Sequence, residues 1–151
     1  MYADVLVPTD GSEGTRGAVE HAIDIANRYE ATLHVLYVVD ARIGVARETT
    51  PERLFDELED QGRNAIDDVI AQAEAASVSS IEGAVARGDP HQAILDYTDE
   101  RDIDIVVMGT HGRSGLHRYL LGSVTEKVIR LSPVPVLAVP LREDHVGGTA
   151  G

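Results

Sequence analysis

The strongest constraint on the fold is a regular alternation along the chain. Short runs that are apolar at nearly every position alternate with longer segments in which apolar residues recur every three or four positions. The run over residues 32–39 is the clearest. A strand that is apolar on both faces is buried on both, as in a parallel sheet covered by helices. The pattern therefore predicts strands over residues 4–7, 32–39, 79–86, 103–108 and 134–139, with helices between them.

Right-handed crossovers between successive strands turn this pattern into one α/β fold. We predict a single doubly wound, five-stranded parallel sheet flanked by helices, with the strand order 3-2-1-4-5. The domain spans residues 1–140, and residues 141–151 form a flexible C-terminal tail because they lack periodicity. Ligands of such sheets bind beyond the carboxyl ends of the strands, where the strand order reverses. That rule points to residues 8–12, 38–40 and 109–125.

The helical segments carry features that a structure can test. The first helix is expected to turn an apolar stripe that ends at Tyr29 toward the sheet. Pro51 opens a long second helix, in which Gly62 costs about 1 kcal/mol relative to alanine. The Asp-Pro pair at residues 89–90 predicts the N-cap and first turn of the third helix, and the fourth helix spans residues 120–131.

The composition excludes several partners and chemistries. A length of 151 residues suits one domain, and the absence of cysteine excludes disulfides and thiolate metal sites. Acidic residues outnumber basic ones by 26 to 13, and this net charge of −13 argues against nucleic acid and against a membrane surface as partners. No apolar run approaches the roughly 20 residues of a membrane span, and no secretory signal is recognised. We therefore expect a soluble, cytoplasmic protein.

The charged residues also suggest an environment. Lys127 is the one lysine, beside twelve arginines. A surface this acidic repels itself in dilute buffer and is stabilised when salt screens the charges. We interpret the composition as an adaptation to a salt-rich cytosol, with an ordinary acidic protein as the alternative.

Residues 109–125 combine glycines with positive charge. Gly109, Gly112 and Gly115 recur at intervals of three, and such loops let backbone amides approach an anion. The Gly-Ser pair at residues 122–123 stands where the fourth helix opens, and the free amides of a helix start favour phosphate. Cationic side chains occur here without a single acidic residue: Arg113, Arg118, His111 and His117. The segment is neither a P-loop nor a Gly-x-Gly-x-x-Gly fingerprint, so it predicts a phosphate site of another kind.

Residues 109–123 contain the spacing Gly-x2-Gly-x9-Gly-Ser, which resembles that of the universal stress protein family, in its ATP-binding subgroup. The opening Val-Leu-Val-Pro-Thr-Asp-Gly-Ser at residues 5–12 and the closing Pro-Val-Pro-Val-Leu-Ala-Val-Pro at residues 133–140 are similar to the first and last strands of that family. The resemblance covers about residues 2–140. It implies a flavodoxin-like fold of the adenine nucleotide alpha-hydrolase type, with ATP as the ligand, with or without Mg²⁺.

The resemblance also implies a set of nucleotide-binding residues. Pro8, Thr9 and Asp10 would line the adenine and ribose side, and Val38 at the end of the second strand would contact adenine. The floor of the site and the phosphate contacts complete the set: Met108, Gly109, Gly112, Arg113, Gly122, Ser123, Val124 and Thr125. A lysine is also common in the family where Arg113 stands, so the charge is kept while the geometry changes.

Two candidate residues have a structural interpretation beside the functional one. Asp10 can accept hydrogen bonds from ribose hydroxyls or help to hold Mg²⁺ through water, or it can cap the first helix together with Ser12. His111 lies between two loop glycines, so it can contact phosphate or orient the loop. No cluster of histidines or carboxylates has the spacing of metal ligands, so any metal would arrive with the nucleotide.

The last strand predicts the mode of assembly. It lies at an edge of the sheet, is apolar on both faces and lacks the charges that usually protect an edge. Prolines limit how far another strand can pair with it, which suits a closed two-fold dimer, as the resemblance also implies. The candidate interface residues are Val134, Val136, Leu137, Ala138 and Val139. The alternative is a monomer in which a loop or the tail covers this edge.

The preferred functional interpretation is an adenine-nucleotide-binding regulatory protein of the stress-response type, acting as a homodimer on an unknown protein partner. A slow ATP hydrolase is the first alternative, and only Asp10 and His111 could activate or position its water. A dimeric interaction module without nucleotide is the second, although such a module does not need the glycine pattern. A phosphorelay receiver is excluded, because paired acids after the first strand and a lysine after the fifth are missing.

Overall fold

The structure, a computed structural model of the chain, describes residues 1–40, 51–111 and 121–141. Within these ranges the chain forms strands that alternate with helices, apart from one short 3-10 turn at Glu13–Thr15. The strands are β1 (Asp4–Pro8), β2 (Thr32–Asp40), β3 (Ser80–Gly88), β4 (Ile105–Gly109) and β5 (Val136–Val139). The helices are α1 (Arg16–Tyr29), α2 (Pro51–Ala75), α3 (Pro90–Glu100) and α4 (Ser123–Leu131).

All strand pairs are parallel, and the sheet has the order β3-β2-β1-β4-β5. The predicted α/β fold and strand order are therefore confirmed. Val5 of β1 pairs with Leu33 on one side and with Ile105 on the other, so β1 lies at the centre. The strand order reverses on either side of β1. The carboxyl ends of β1, β2 and β4 consequently meet at one edge of the sheet.

Helices cover both faces of the sheet, as the apolar β2 run predicts. On one face α1 and α2 pack onto Val5, Val7, Leu33 and Val35, while α3 and α4 pack onto Leu6, Leu36, Val106 and Met108 on the other face. Alternate residues of β1 and β2 belong to the two different core layers, as a two-fold side-chain period requires. None of the described helices is both long and apolar enough to cross a lipid bilayer.

Several predicted boundaries shift for local reasons. β4 begins at Ile105 instead of residue 103, because Asp102 has a positive φ of 50° and the amide of Ile103 still bonds the Thr98 carbonyl at the end of α3. β5 begins at Val136 instead of residue 134, since the Ser132 hydroxyl bonds both the amide and the carbonyl of Val134 in a local turn. α4 begins at Ser123 instead of residue 120, because the residue before it has extended backbone.

The prediction for Tyr29 is wrong. Its side chain is 44% exposed, and it stacks edge-on against Tyr2 with 5.1 Å between the ring centroids. Tyr29 is the last residue of α1, and the chain leaves the helix at once through Glu30, which has a left-handed backbone. The apolar stripe therefore ends one turn earlier, at Ala26, which is buried.

A buried polar network joins three elements at the amino edge of the sheet. The ring of His34 on β2 is 2% exposed, and its Nδ1 lies 2.8 Å from the Tyr97 hydroxyl of α3. Its Nε2 lies 2.9 Å from a carboxylate oxygen of Asp4 on β1. Buried polar atoms need such partners, because an unpaired one costs about 1–3 kcal/mol. This network ties α3 to the sheet far from the carboxyl edge.

Candidate functional site

A cavity of about 410 Å³ opens at the carboxyl edge, between the ends of β1, β2 and β4. The same edge is where ligands bind in open parallel sheets. Its walls come from the β1–α1 loop, the last residues of β2, the first turns of α3 and α4, and the end of β4. The lining residues that the sequence also predicts are Pro8, Thr9, Asp10, Val38, Met108, Gly109, His111, Gly122, Ser123, Val124 and Thr125.

One half of the cavity is apolar. Leu36 and Val38 of β2, Met108 of β4 and Ile94 of α3 line it, and Ile94 belongs to the buried core layer under α3 and α4. Apolar walls between strand ends suit the apolar part of a ligand, because most small-molecule sites are apolar with a few placed polar groups. This half of the cavity is therefore suited to an apolar group such as an aromatic ring.

The β1–α1 loop supplies an oriented carboxylate. Oδ1 of Asp10 accepts a 2.8 Å hydrogen bond from the Ser12 amide and a short one from the Ser12 hydroxyl. Gly11 between them has a φ of +79°, which a glycine adopts without strain. Neither the 3-10 turn nor α1 is capped by a side-chain hydrogen bond in the described structure. The loop thus braces Asp10 against Ser12 rather than capping the helix with it.

The other half of the cavity ends at the first turn of α4. Gly122 precedes the helix with φ −63° and ψ 152°, and within the described ranges no side chain caps it. The Gly122 amide bonds the Thr110 carbonyl at 2.7 Å, and the Gly122 carbonyl accepts the Glu126 amide at 3.0 Å. The amides of Ser123, Val124 and Thr125 belong to the first turn, where a helix leaves its N–H groups unpaired and carries partial positive charge. Such a turn is suited to an anion.

Thr125 joins β4 to α4. Its hydroxyl is buried and donates to the Gly109 carbonyl at 2.7 Å. The proton of this hydroxyl is therefore already used, and the side chain fixes the helix start against the end of β4. Gly109 has its own steric reason, because a Cβ there would lie 2.2 Å from the Gly14 carbonyl oxygen. Only glycine allows the 3-10 turn to approach β4 so closely.

His111 lies at the end of β4 and is 2% exposed. Its Nδ1 is 3.0 Å from the Thr110 hydroxyl oxygen. The ring also lines the cavity. Burial at the root of the glycine-rich segment agrees with the loop-orienting interpretation and leaves a ligand contact open. Gly112 and Arg113, the other predicted members of this segment, lie outside the described residues.

The sequence did not predict the part of the cavity wall that α2, α3 and the 3-10 turn supply. Pro90 and Ile94 of α3, Thr15 of the 3-10 turn and Leu58 of α2 also line the cavity. The Asp-Pro pair at residues 89–90 marks the helix start at the end of β3 and is the signal that could have placed Pro90 at this edge. Among the described residues no group of three or more histidine, aspartate and glutamate side chains could hold a metal ion.

The predicted interface residues do not share one environment. β5 lies at the edge of the sheet and Leu137 on it is 37% exposed. Val134 and Val136 pack against the core layer under α3 and α4. Val139 is buried instead, and it faces Gly17 of α1, where a Cβ would lie 3.1 Å from its Cγ1. Leu137 is thus the member of the set whose side chain is most available to a partner.

Comparisons with known proteins agree with this architecture. The model of the universal stress protein family matches residues 1–140. A universal stress protein of Methanocaldococcus jannaschii, MJ0531, is 37% identical over 141 residues, which cover 92% of this chain and 82% of that protein.

Solved structures extend the likeness to three dimensions. The structure of MJ0577, a universal stress protein of the same organism, has a TM-score of 0.82 at 32% identity and covers 92% of this chain and 96% of its own. A universal stress protein solved in complex with cAMP has a TM-score of 0.70 at 28% identity, covering 93% of this chain and 98% of its own. The family match over nearly the whole chain, together with these relatives, shows that the chain belongs to the universal stress protein family.

Proposed function

We propose that this chain binds an adenine nucleotide, with ATP as the expected ligand, and acts as a nucleotide-responsive regulatory protein in the stress response. The observation that carries the proposal is one continuous cavity that joins its apolar half, called here the apolar slot, to the first turn of α4. An apolar slot suits a base and a helix start suits phosphate, and an adenine nucleotide carries both groups. The cAMP complex of a 28% identical relative supports the choice of adenine nucleotides as the ligand class.

Each part of the cavity takes one part of the ligand in this proposal. The base would lie against Val38, Ile94 and Met108, and Asp10 would accept hydrogen bonds from the ribose. The phosphates would meet the amides of residues 122–125, with Gly112 and Arg113 as further expected contacts. Mg²⁺ would arrive bound to the phosphates, since the described side chains offer no metal cluster of their own. A bound Mg²⁺ would neutralise phosphate charge.

The chain is proposed to act by binding rather than by hydrolysis. A hydrolase needs a base or a water-positioning group close to the γ-phosphate. Asp10 is braced by Ser12, and His111 is buried beside Thr110. In this proposal both contacts serve to position the loop around the ligand. A stoichiometric turnover assay separates this proposal from a slow hydrolase.

We also propose that the protein is a cytoplasmic homodimer joined through β5. The strand is at the sheet edge, so its outer backbone groups can pair with a second copy across a two-fold axis. Ile129 and Leu131 of α4 are 42% and 55% exposed, which adds apolar surface in the element that precedes β5. The dimer would present two nucleotide sites to a protein partner.

The proposal is tested by equilibrium binding of ATP, ADP, AMP, cAMP and GTP at high salt, with and without Mg²⁺. The wild-type protein should bind adenine nucleotides and discriminate against GTP. Gly122→Val should lose at least tenfold in affinity. Valine adopts the observed φ and ψ of residue 122 without strain, so backbone strain would not account for the loss.

Ser79→Val, an exposed substitution before β3, is the matched control and should bind like wild type. If Gly122→Val binds ATP with wild-type affinity, the first turn of α4 does not contribute to the nucleotide site. Absence of adenine nucleotide binding by the wild-type protein would refute the proposal as a whole.

A further inference from the structure

We propose that Thr15 is a positioning residue of the β1–α1 loop. It holds residues 9–15, called here the Asp10 loop, in their nucleotide-binding shape. The sequence patterns do not single out Thr15, and it acts through other groups of the loop. The inference rests on the proposed function, because it assigns a role within the same site. It is carried by six hydrogen bonds that join residues 9–15 into one network.

The direction of these bonds follows from counting protons. The Thr15 hydroxyl donates to the Ser12 carbonyl at 3.0 Å, so its single proton is used there. Its oxygen lies 3.1 Å from the Thr9 hydroxyl oxygen, and the proton of this second bond must therefore come from Thr9. The Thr9 oxygen in turn accepts the Gly11 amide at 3.1 Å. The chain of donors thus runs from Gly11 through Thr9 and Thr15 to Ser12.

Both ends of this chain lie beside Asp10. Gly11 follows Asp10 directly and has the left-handed backbone that reverses the chain. Ser12 supplies the amide and the hydroxyl that hold the Asp10 carboxylate. The Ser12 carbonyl accepts the Thr15 amide at 3.2 Å as well as the Thr15 hydroxyl. Thr15 therefore holds Ser12 in place, and Ser12 in turn holds the carboxylate of Asp10.

Burial makes these bonds effective. Thr9 and Thr15 are 6% and 8% exposed, so water competes weakly for their hydroxyls. A buried hydroxyl that loses its partner must find another or remain unpaired. Removal of the Thr15 hydroxyl would leave the Thr9 proton without its acceptor. The resulting rearrangement would begin at Gly11, next to the carboxylate.

The loop is also fixed from outside. The Gly14 carbonyl lies against Gly109 at the end of β4, at a distance that a Cβ on residue 109 would forbid. The Gly109 carbonyl accepts the Thr125 hydroxyl at the start of α4. Thr15 stabilises the 3-10 turn whose Gly14 carbonyl lies against Gly109. It therefore helps to set the separation between Asp10 and the phosphate side of the cavity.

The experiment compares full-length Thr15→Val, Thr15→Ser and Thr98→Val. Valine keeps the shape of threonine and lacks the hydroxyl, whereas serine keeps the hydroxyl. Thr98 is the matched control, because it is 2% exposed and its hydroxyl donates to the Ile94 carbonyl within α3. Each protein is assayed for ATP affinity, thermal stability and amide hydrogen exchange at Gly11 and Ser12. If Thr15→Val does not fold, Thr15→Ala is used in its place.

Thr15→Val should bind ATP about tenfold more weakly or worse, Thr15→Ser within about threefold of wild type, and Thr98→Val like wild type despite a lowered melting temperature. Gly11 and Ser12 amides should exchange faster in Thr15→Val than in Thr98→Val. Equal ATP affinities in the two valine variants would overturn the positioning role. If the wild-type protein binds no nucleotide, the proposed function fails, and the exchange rates at Gly11 and Ser12 alone then decide whether Thr15 positions the loop.

Discussion

At the scale of single residues, a close packing contact explains a glycine in the middle of a helix. A Cβ on Gly62 would lie 2.5 Å from a ring carbon of Tyr37, so α2 approaches β2 only because the side chain is absent. Helix propensity favours alanine over glycine by about 1 kcal/mol in an exposed helix interior. A steric overlap this close costs typically 1–3 kcal/mol in a packed core. Packing therefore outweighs propensity at this position.

We expect Gly62→Ala to lower the free energy of unfolding by about 1 kcal/mol, because the steric overlap with Tyr37 costs more than the helix propensity of alanine gains. Chemical denaturation followed by circular dichroism measures the change. Asn64→Ala, an exposed substitution in the same helix, is the control and should be neutral or slightly stabilising. If Gly62→Ala stabilises the protein as much as the control does, the contact with Tyr37 does not determine the residue type.

A second residue-scale prediction concerns alkaline pH. Burial raises the pKa of the Tyr97 phenol above its ordinary value of 10.0, and the nearby Arg101 guanidinium only partly offsets this. The unfolded chain therefore releases this proton at a lower pH than the folded protein does. The contribution of Tyr97 to stability is fully present below pH 10 and is lost as the pH rises through the folded-state pKa.

Tyr97→Phe removes this titration together with the hydrogen bond to His34. The variant should be less stable than wild type at neutral pH, and its melting temperature should fall less steeply between about pH 9 and pH 11. Tyr29→Phe, which removes an exposed phenol, serves as the control. Parallel melting curves of Tyr97→Phe and wild type over this range would contradict the assignment.

At the scale of elements, the sequence predicts the strands and helices well because their apolar periodicity reflects burial on one or two faces. Pro51 does open α2, and Pro90 does open α3. The boundaries of β4 and β5 were less accurate, since local bonds such as that of Ile103 to Thr98 decide them. Within the site, glycine spacing and the resemblance predicted Asp10 and residues 122–125. They did not predict Ile94 or Thr15, because only tertiary packing brings α3 and the 3-10 turn to the cavity.

The assembly prediction belongs to β5. We expect Leu137→Asp to convert the proposed dimer to a monomer, because it places a charge on the exposed side of an edge strand without disturbing the core. Val139→Asp is unsuitable for this test, since Val139 is buried and a charge there would unfold the protein. Light scattering or sedimentation measures the mass. Tyr29→Asp changes a comparably exposed apolar residue on α1 and should remain dimeric. A dimeric Leu137→Asp would place the interface elsewhere.

At the scale of the whole molecule, the net charge of −13 is large for 151 residues. Surface ion pairs such as Arg28 with Asp24 and Arg87 with Glu59 use arginines that this sum already counts, and each pair contributes only about 0–1 kcal/mol. Repulsion among the excess carboxylates therefore dominates the surface electrostatics. Salt acts on this repulsion because the screening length falls to about 3 Å at molar concentration.

We expect the melting temperature to rise from dilute buffer to molar KCl. NaCl should have the same effect, since screening depends on ionic strength and not on the cation. Differential scanning calorimetry at fixed pH measures the change. A melting temperature that stays constant or falls would count against adaptation to a salt-rich interior.

The whole site is assembled from distant parts of the chain: the Asp10 loop, the end of β2, the start of α3 and the start of α4. In the proposed binding mode, one nucleotide bridges the apolar slot and the first turn of α4. The most direct test is a ¹⁵N-resolved NMR titration with ATP and, separately, with adenosine. Both ligands should shift the amides of Val38 and Ile94, while ATP alone should shift those of Ser123 and Val124. Shifts confined to the groove around Glu13, Arg16 and Gln72 on the α1 side, with no change at Ser123 or Val124, would contradict this binding mode.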